Sequence, residues 1–585
     1  MSKRTGFFLV FLICSVVLYE LPYVLTFRKT GWSSLPPEVD YPSDQVLYLS
    51  LSAIQHSSAT EVVNPWYGTA VPAADVAHLR FPVTFLLFRV VHNLFGSWTT
   101  AMLMWVGLCA GLSFAAAVFC LNSFFPDSDR RLIVIDSFGL MILQPSFIYL
   151  AEVRQLPSLA GLYQLWLPYV RFAFPQIVVP AVLVYLGMQV RALRTGSKWP
   201  LAGMALLQFW SVLTYPYFPV LLVATALAIL IAQVGPREQG LSWRSALAFC
   251  VLCGVADAGY SLLRGLGASR GNLHFIFQIR PEMIVASFRP YVVFLTAGAC
   301  IALVSRCSFA TRATVAGLAL SNAFFAFSAA FFPPAEMVLI HVNYFIALTS
   351  WLPLMVIFWR WMERFNGRTL PVALASILLG TGVWEAYASY RVSLPVNTLQ
   401  ASAVKEVENL GLKATDLVLA PAQFSDDISC WIPLLSPAKV LFTRDAEDIL
   451  PYSMSDEQSF RQAVYLETRG ISHAALLSLT EAGAPEWRLN PIALYGEFGY
   501  LSSPLSTDRA KVKTVVKERL AGTLARLESE PSSANFLFSG YKRVIVMDGT
   551  SEPLFQPSVF TQWLEIVQAY ERGGVRVWLC RPKSP

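Results

Sequence analysis

Three carboxylates, Glu38, Asp40 and Asp44, fall in the short run Pro36-Pro37-Glu38-Val39-Asp40-Tyr41-Pro42-Ser43-Asp44-Gln45. A carboxylate within hydrogen-bonding reach of a hydroxyl or amine can take its proton as a new bond forms at that atom. If a helix starts at Asp44, Ser43 is a good N-cap and Asp44 sits at the positive helix end. Two uses fit that arrangement: a base in an active site at a membrane surface, or carboxylates that cap a helix and face water.

A second set consists of arginines. Arg154 and Arg171 flank one loop between apolar runs, and Arg264, Arg270, Arg280 and Arg289 populate another. Arginine offers a fork of donors that matches phosphate and keeps its charge at low dielectric. The plainer reading is that each snorkels to lipid headgroups. Gln176 follows Pro175 at the start of an apolar run and is expected to point into a helix bundle. His341 and Asn343 open a later run just after Pro333-Pro334. Asp136 and Asp257 lie inside apolar runs, where an ionisable group is costly and points to function, here a proton path in a transporter, or to pairing with neighbours.

The elements that must carry these groups are dictated by composition. Hydrophobic residues make up 55% of the chain and charged residues 14%, against about a quarter charged in soluble proteins. Mean hydropathy is +0.51. The excess lies before about residue 390, so the expectation is a polytopic helical membrane domain followed by a soluble one. The net charge of +6 is small for 585 residues and gives no reason to expect nucleic acid as a partner. The nine cysteines show no CxxC and no Cys/His cluster, so no zinc site is read. Cys430 and Cys580 are the pair that could bridge in the tail, although Cys580 ends a strand expected to be buried.

Spans of about 20 apolar residues are expected at 7–26, 98–121, 132–150, 175–192, 199–214, 217–234, 245–263, 290–305, 313–332, 337–358 and 370–388, about eleven in all. The first has the positive start of a signal peptide (Lys3, Arg4) but no small-x-small cleavage site, and reads as an uncleaved helix. With the N-terminus inside, every inner loop carries at least two basic residues, among them Arg130/Arg131, Arg191/Arg194/Lys198 and Arg237/Arg244. Long outer loops then fall at about 27–97, 151–174 and 264–289. Within the first, Gln45–His56 and Val83–Phe95 read as helices lying in the interface.

The domain boundary is expected near 392, giving a transmembrane domain over 1–392 and a soluble domain over 393–585. In the tail, strands are expected at Asp416–Ala420, Val440–Thr443, Val544–Met547 and Val575–Cys580. Helices are expected at Ser455–Arg469, Asp508–Glu528 and Ser558–Arg572. This alternation predicts a small α/β domain with a largely parallel sheet. It contains no GxGxxG, GxxxxGK[ST] or GxSxG.

Taken together, an acidic first outer loop, interfacial helices within it, long outer loops alternating with very short ones, about eleven spans and an outer C-terminal domain resemble the membrane glycosyltransferases of the GT-C superfamily. That superfamily includes bacterial relatives of the protein O-mannosyltransferases and the aminoarabinose transferase. The resemblance covers about residues 1–390. It implies transfer of a sugar from a polyprenyl-phosphate-linked donor to a lipid, glycan or protein on the outer face of a bacterial inner membrane, with the N-terminus cytoplasmic. The base it implies is Asp44 or Asp40, with Asp44 preferred because Asp44, Gln45 and Tyr48 look like the start of the first interfacial helix in such enzymes. The donor phosphate would be held by residues from Arg154, Arg171, Arg280 and Arg289, and the substrates by Glu38, Tyr48, Gln176 and His341. Gln45 stands where the family commonly has Glu, so no cofactor is read and a divalent metal is left open. Two other readings use the same residues: a transporter or flippase of a lipid-linked glycan, and a non-catalytic envelope assembly protein.

Overall fold

A computed structural model describes residues 3–30, 49, 52–56, 58, 61–72, 82–142, 177–214, 218–234, 241–265, 307–331, 369–392, 398–422, 428–443, 456–470, 533–551 and 553–583. Packing divides the chain into two units. One takes its described residues from Met1–Thr26, Phe81–Leu266 and Ile279–Ser393. The other takes them from Phe27–Arg80, Gly267–Gln278 and Leu394–Pro585.

The first unit is helical. Its elements are α1 (Lys3–Thr30), α2 (Pro82–Phe95), α3 (Trp98–Phe124), α4 (Arg130–Ile142), α5 (Val178–Thr195), α6 (Lys198–Val212), α7 (Phe218–Val234), α8 (Trp243–Gly265), α9 (Phe309–Phe331) and α10 (Thr369–Val392). Helices thus occupy the described parts of nine of the expected spans, while 290–305 and 337–358 lie outside the described residues. Thr5–Arg28 and Trp98–Phe124 are long and apolar enough to cross a membrane. Turn chemistry sets the boundaries. Gly96 takes φ 68° between α2 and α3, and the Ser97 hydroxyl caps α3 by accepting the Thr100 N–H. Gly196, at φ 66°, ends α5 by donating its N–H to the Ala192 carbonyl.

Small residues let these helices approach closely. A Cβ on Gly317 of α9 would lie 2.5 Å from the Ala224 carbonyl oxygen and 2.8 Å from the Ala228 nitrogen of α7. Where backbones meet this closely, many dispersion contacts form and polar groups on facing helices come within hydrogen-bonding reach. The polar contact is a buried chain: the Tyr185 and Thr225 hydroxyls are 2.9 Å apart, Thr225 donates to Gln189 Oε1 at 2.8 Å, and Gln189 Nε2 donates to Thr314 at 3.4 Å. It joins α5, α7 and α9. Outward faces are apolar: Leu252 and Val255 of α8 are 71% and 66% exposed, and Val372 and Ile377 of α10 are 67% and 65% exposed. Patches of this kind are rare on soluble monomers.

The second unit contains a mixed sheet in the order β5-β4-β6-β8-β7, built from β4 (Asp416–Leu419), β5 (Lys439–Val440), β6 (Arg543–Gly549), β7 (Leu564–Arg572) and β8 (Val575–Pro582). β5, β4 and β6 run parallel, whereas β8 is antiparallel to both β6 and β7. The largely parallel sheet expected from the sequence is therefore corrected to a mixed one. A helix expected over Ser558–Arg572 is also corrected. Only Pro557–Phe560 is helical, and Leu564–Arg572 is strand β7. Gly573 and Gly574, at φ 58° and 82°, supply a two-residue hairpin turn that pairs Arg572 with Val575 and holds β7 on β8. Helix α11 (Thr398–Leu410) packs on β8, and α12 (Asp456–Thr468) contributes Val464, Tyr465 and Leu466 to a core with Leu417, Val546 and Trp578. The expected helix Asp508–Glu528 lies outside the described residues.

Strands β1 (Gln55–His56), β2 (Glu61–Val63) and β3 (Ala70–Pro72) form a small antiparallel sheet in this second unit. Gln55 and His56 therefore belong to a strand, not to the end of the expected interfacial helix Gln45–His56. The strand wins because its partners Val62 and Val63 are β-branched and apolar.

The Gly317 contact is testable. Gly317→Ala should destabilise the helical unit by about 1–3 kcal/mol through overpacking against α7. Gly259→Ala, where an added Cβ meets nothing within 4 Å, should leave it unchanged. Thermal unfolding in detergent checks this, and equal melting of the two variants would refute the close approach.

Candidate functional site

The residues singled out as base, phosphate ligands and substrate contacts, namely Asp40, Asp44, Glu38, Tyr48, Arg154, Arg171, Arg280, Arg289, Gln176 and His341, lie outside the described residues. What the structure shows is how the chain that follows the acidic run is held. Leu49, five residues past Asp44, is fully buried, and β1 begins six residues later.

Between β2 and β3 the chain turns at Asn64-Pro65-Trp66-Tyr67-Gly68. Asn64 Oδ1 accepts the N–H groups of Trp66 and Tyr67 at 2.9 and 3.1 Å, an Asx turn that closes the loop locally. This presents two aromatic side chains to the α/β fold. The Trp66 indole is fully buried and donates to the Cys430 carbonyl at 3.0 Å. The Trp66 carbonyl accepts the Val440 N–H at 2.9 Å. The Arg461 guanidinium lies 4.9 Å from the Tyr67 ring centre and donates to the Val440 carbonyl at 3.4 Å. Gly68 takes φ 77°, and a Cβ there would come within 2.7 Å of Lys439 Cε. Burial lowers the pKa of Lys439 from its ordinary value. The sequence reading passed over this turn, although Asn-Pro and Gly between two apolar pairs mark it.

Buried acids are the other chemically charged feature. Asp136 of α4 and Glu385 of α10 are 3% and 8% exposed, and α4 packs on α10. One oxygen of each, Asp136 Oδ2 and Glu385 Oε2, has no hydrogen-bond partner among the described residues. The Tyr19 hydroxyl donates to the Met141 carbonyl of α4 at 2.8 Å. Asp257 of α8 accepts from Gln208 Nε2 of α6 at 2.8 Å, so it has a partner on a neighbouring helix. Asp136 and Asp257 stand out in the sequence. Glu385 was missed, since one acid in Trp384-Glu385-Ala386 leaves an apolar run looking uninterrupted. Carboxyls so placed can exchange protons or meet a cation.

In the α/β unit the conspicuous acid is Asp548, at the C-terminal end of β6. Its oxygens accept the N–H groups of Gly549, Leu554 and Phe555 at 2.8, 2.6 and 2.7 Å. A carboxylate occupied by its own loop is a lock on that loop. Burial pushes it up to about 6, against the N–H donors and Arg469, which pull it down. Cys430 and Cys580 are both buried and do not form a disulfide, and burial pushes the Cys580 thiol up to about 12. Among the described residues no three His, Cys, Asp or Glu side chains gather as a metal site.

Neither the models of protein families nor the curated proteins contain a match to this chain. Among solved structures, 97% of the chain aligns with 72% of the crystal structure of the Archaeoglobus fulgidus oligosaccharyltransferase, a complex with Zn and sulfate, at 12% identity and a TM-score of 0.34.

Two outcomes are expected. Trp66→Ala should cost the second unit about 3–5 kcal/mol, as for other buried aromatics, and open the 55–72 segment to protease. Trp66→Phe, which keeps most of the ring volume, should cost less. Unchanged urea unfolding and cleavage in the alanine variant would show that this turn is not the anchor. For Asp548 the ordinary carboxyl value is 3.8, so between about pH 4 and 6 the native state binds more protons than the unfolded chain. Its contribution is full below about pH 4 and is lost as pH rises through about 6, a change of about 3 kcal/mol. Urea unfolding followed by tryptophan fluorescence should show this slope in wild type and lose it in Asp548→Asn.

Proposed function

We propose that this chain is an integral membrane glycosyltransferase of the GT-C kind, moving one sugar from a polyprenyl-phosphate-linked donor to a lipid, glycan or protein acceptor on the outer face. The observation that carries the reading is the build of the second unit: the loop bearing Glu38, Asp40 and Asp44 leads into β1–β3, which pack on the α/β fold through Trp66. An acidic loop fastened to a folded domain is a platform for positioned chemistry. The apolar outward faces of α8 and α10 support a bundle set in lipid.

In this mechanism the acceptor oxygen or nitrogen attacks the anomeric carbon, the bond from that carbon to the phosphate oxygen breaks, and the acceptor proton passes to the Asp44 carboxylate. The polyprenyl phosphate leaves with its charge met by arginines drawn from Arg154, Arg171, Arg280 and Arg289. Glu38, Tyr48, Gln176 and His341 complete the substrate contacts. The apolar bundle takes the polyprenyl tail.

A second reading, a flippase for a lipid-linked glycan, is favoured by one observation: the carboxyls of Asp136 and Glu385 are buried in apolar helices with an oxygen unpartnered among the described residues. Transport without covalent change, dependent on a proton gradient and on Asp136, would mark it.

Asp44→Asn should abolish sugar transfer while leaving thermal unfolding as in wild type, and Arg171→Ala should weaken donor binding at least tenfold, as loss of a charge-assisted phosphate contact does. Incubating the purified protein with lipid-linked sugars and an acceptor extract, with products read by mass spectrometry, tests both. Wild-type rates in Asp44→Asn would remove it as the base.

A further inference from the structure

At one end of the helical unit, the last turn of α3 is met by two basic side chains of α5 and a hydroxyl of α9. Arg191 of α5 lies with its guanidinium 4.3 Å from the Phe119 ring centre and donates its Nε–H to the Ser123 hydroxyl at 2.9 Å. Arg194, one turn on, donates to the Ser123 carbonyl at 3.1 Å. Thr311 of α9 donates to the next carbonyl, Phe124, at 3.2 Å, and the next residue, Arg312, has its guanidinium 5.7 Å from the Phe309 ring centre. Cations suit a helix C-terminus, and that accounts for Arg194. It leaves most of the donors unused. An arginine has five N–H groups; Arg191 and Arg194 spend one each on hydrogen bonds here, and the Nε of Arg312 is buried without an acceptor among the described residues. None of the three is ion-paired among the described residues. The nearby acids Asp127 and Asp129 are exposed in the connection from α3 to α4, and Asp129 is engaged with the backbone N–H of Arg131.

The surroundings say what sort of anion would come here. At the same end, the N-termini of α6 and α8 carry Lys198-Trp199 and Trp243-Arg244, with the two tryptophans 85% and 59% exposed. Exposed indoles beside basic residues, at the ends of helices with apolar flanks, mark the headgroup level of a bilayer.

We propose that Arg191, Arg194 and Arg312 form a seat for the phosphate of an anionic phospholipid in the leaflet at this end of the bundle. The lipid would fill the open donors around the end of α3 and tie α3, α5 and α9 together there. The seat is independent of the transferase reading, since it lies at the end expected to face inward and uses none of the residues assigned to sugar transfer.

The test uses the full chain purified in neutral detergent and titrated with phosphatidylglycerol or phosphatidylcholine, with retained lipid counted by native mass spectrometry. Wild type should retain phosphatidylglycerol over phosphatidylcholine, and each arginine removed should cut that preference about five-fold. Arg312→Gln is the first variant, because Arg312 makes no side-chain hydrogen bond among the described residues and its loss should leave lipid-free melting unchanged. Arg194→Gln, which keeps a donor for the Ser123 carbonyl, is the second. Equal retention of the two lipids by wild type, or a preference that survives both substitutions, overturns the proposal. Displacement of the phosphatidylglycerol by millimolar inorganic phosphate would also overturn it, by making the ligand a free anion.

Discussion

The β5 edge of the five-stranded sheet is covered through a backbone hydrogen bond from the Val440 N–H to the Trp66 carbonyl. An open edge is a row of unpaired donors and acceptors that invites another strand. Here β5 is only two residues long, and the chain that covers it comes from the first long loop, 364 residues before the Cys430 carbonyl that the same tryptophan engages. One turn thus shields an edge, fills a core position with an indole and satisfies a buried carbonyl. It also fixes the downstream boundary of the acidic run, because Gln55 follows Asp44 by only eleven residues.

The helical unit rests on a different constraint. Its outward faces are apolar, and shape and internal polar contacts set the register of one helix against another. Gly317 gives α7 and α9 their close approach, and the chain from Tyr185 through Thr225 and Gln189 to Thr314 joins three helices through buried polar groups. A buried polar chain is specific in a way that apolar packing is not, since a shift of register leaves several groups unsatisfied at once.

Much of this architecture can be read from residue order alone. Apolar runs place the helices because the signal is local and long. The parallel strands β4 and β6 show themselves as short β-branched runs. Strand β7 misleads because Leu564-Glu-Ile-Val-Gln-Ala-Tyr-Glu-Arg has good helix formers, and only the following Gly573-Gly574 declares a hairpin. Tertiary pairing with β8 overrides local propensity there. The site is less legible. Asp136 and Asp257 are visible as charges in apolar runs, but nothing local shows that Gln208 faces Asp257 or that Arg191, Arg194 and Thr311 meet at one helix end. Those pairings belong to helix packing, and periodicity reports a face without its partner. The Trp66 turn is hidden for the same reason: its Asn-Pro and Gly are readable, its docking partner hundreds of residues away is not.

That separation orders events in time. At a synthesis rate of about 5–20 residues per second, the 364 residues between Trp66 and Cys430 take roughly 20–70 s to make. Throughout that interval β1–β3 exist without the fold that buries their indole, while each helical hairpin can form soon after it is made. The β1–β3 segment is therefore among the last parts to find its place, and a chain cut short before residue 430 would leave the Trp66 indole without the carbonyl it engages.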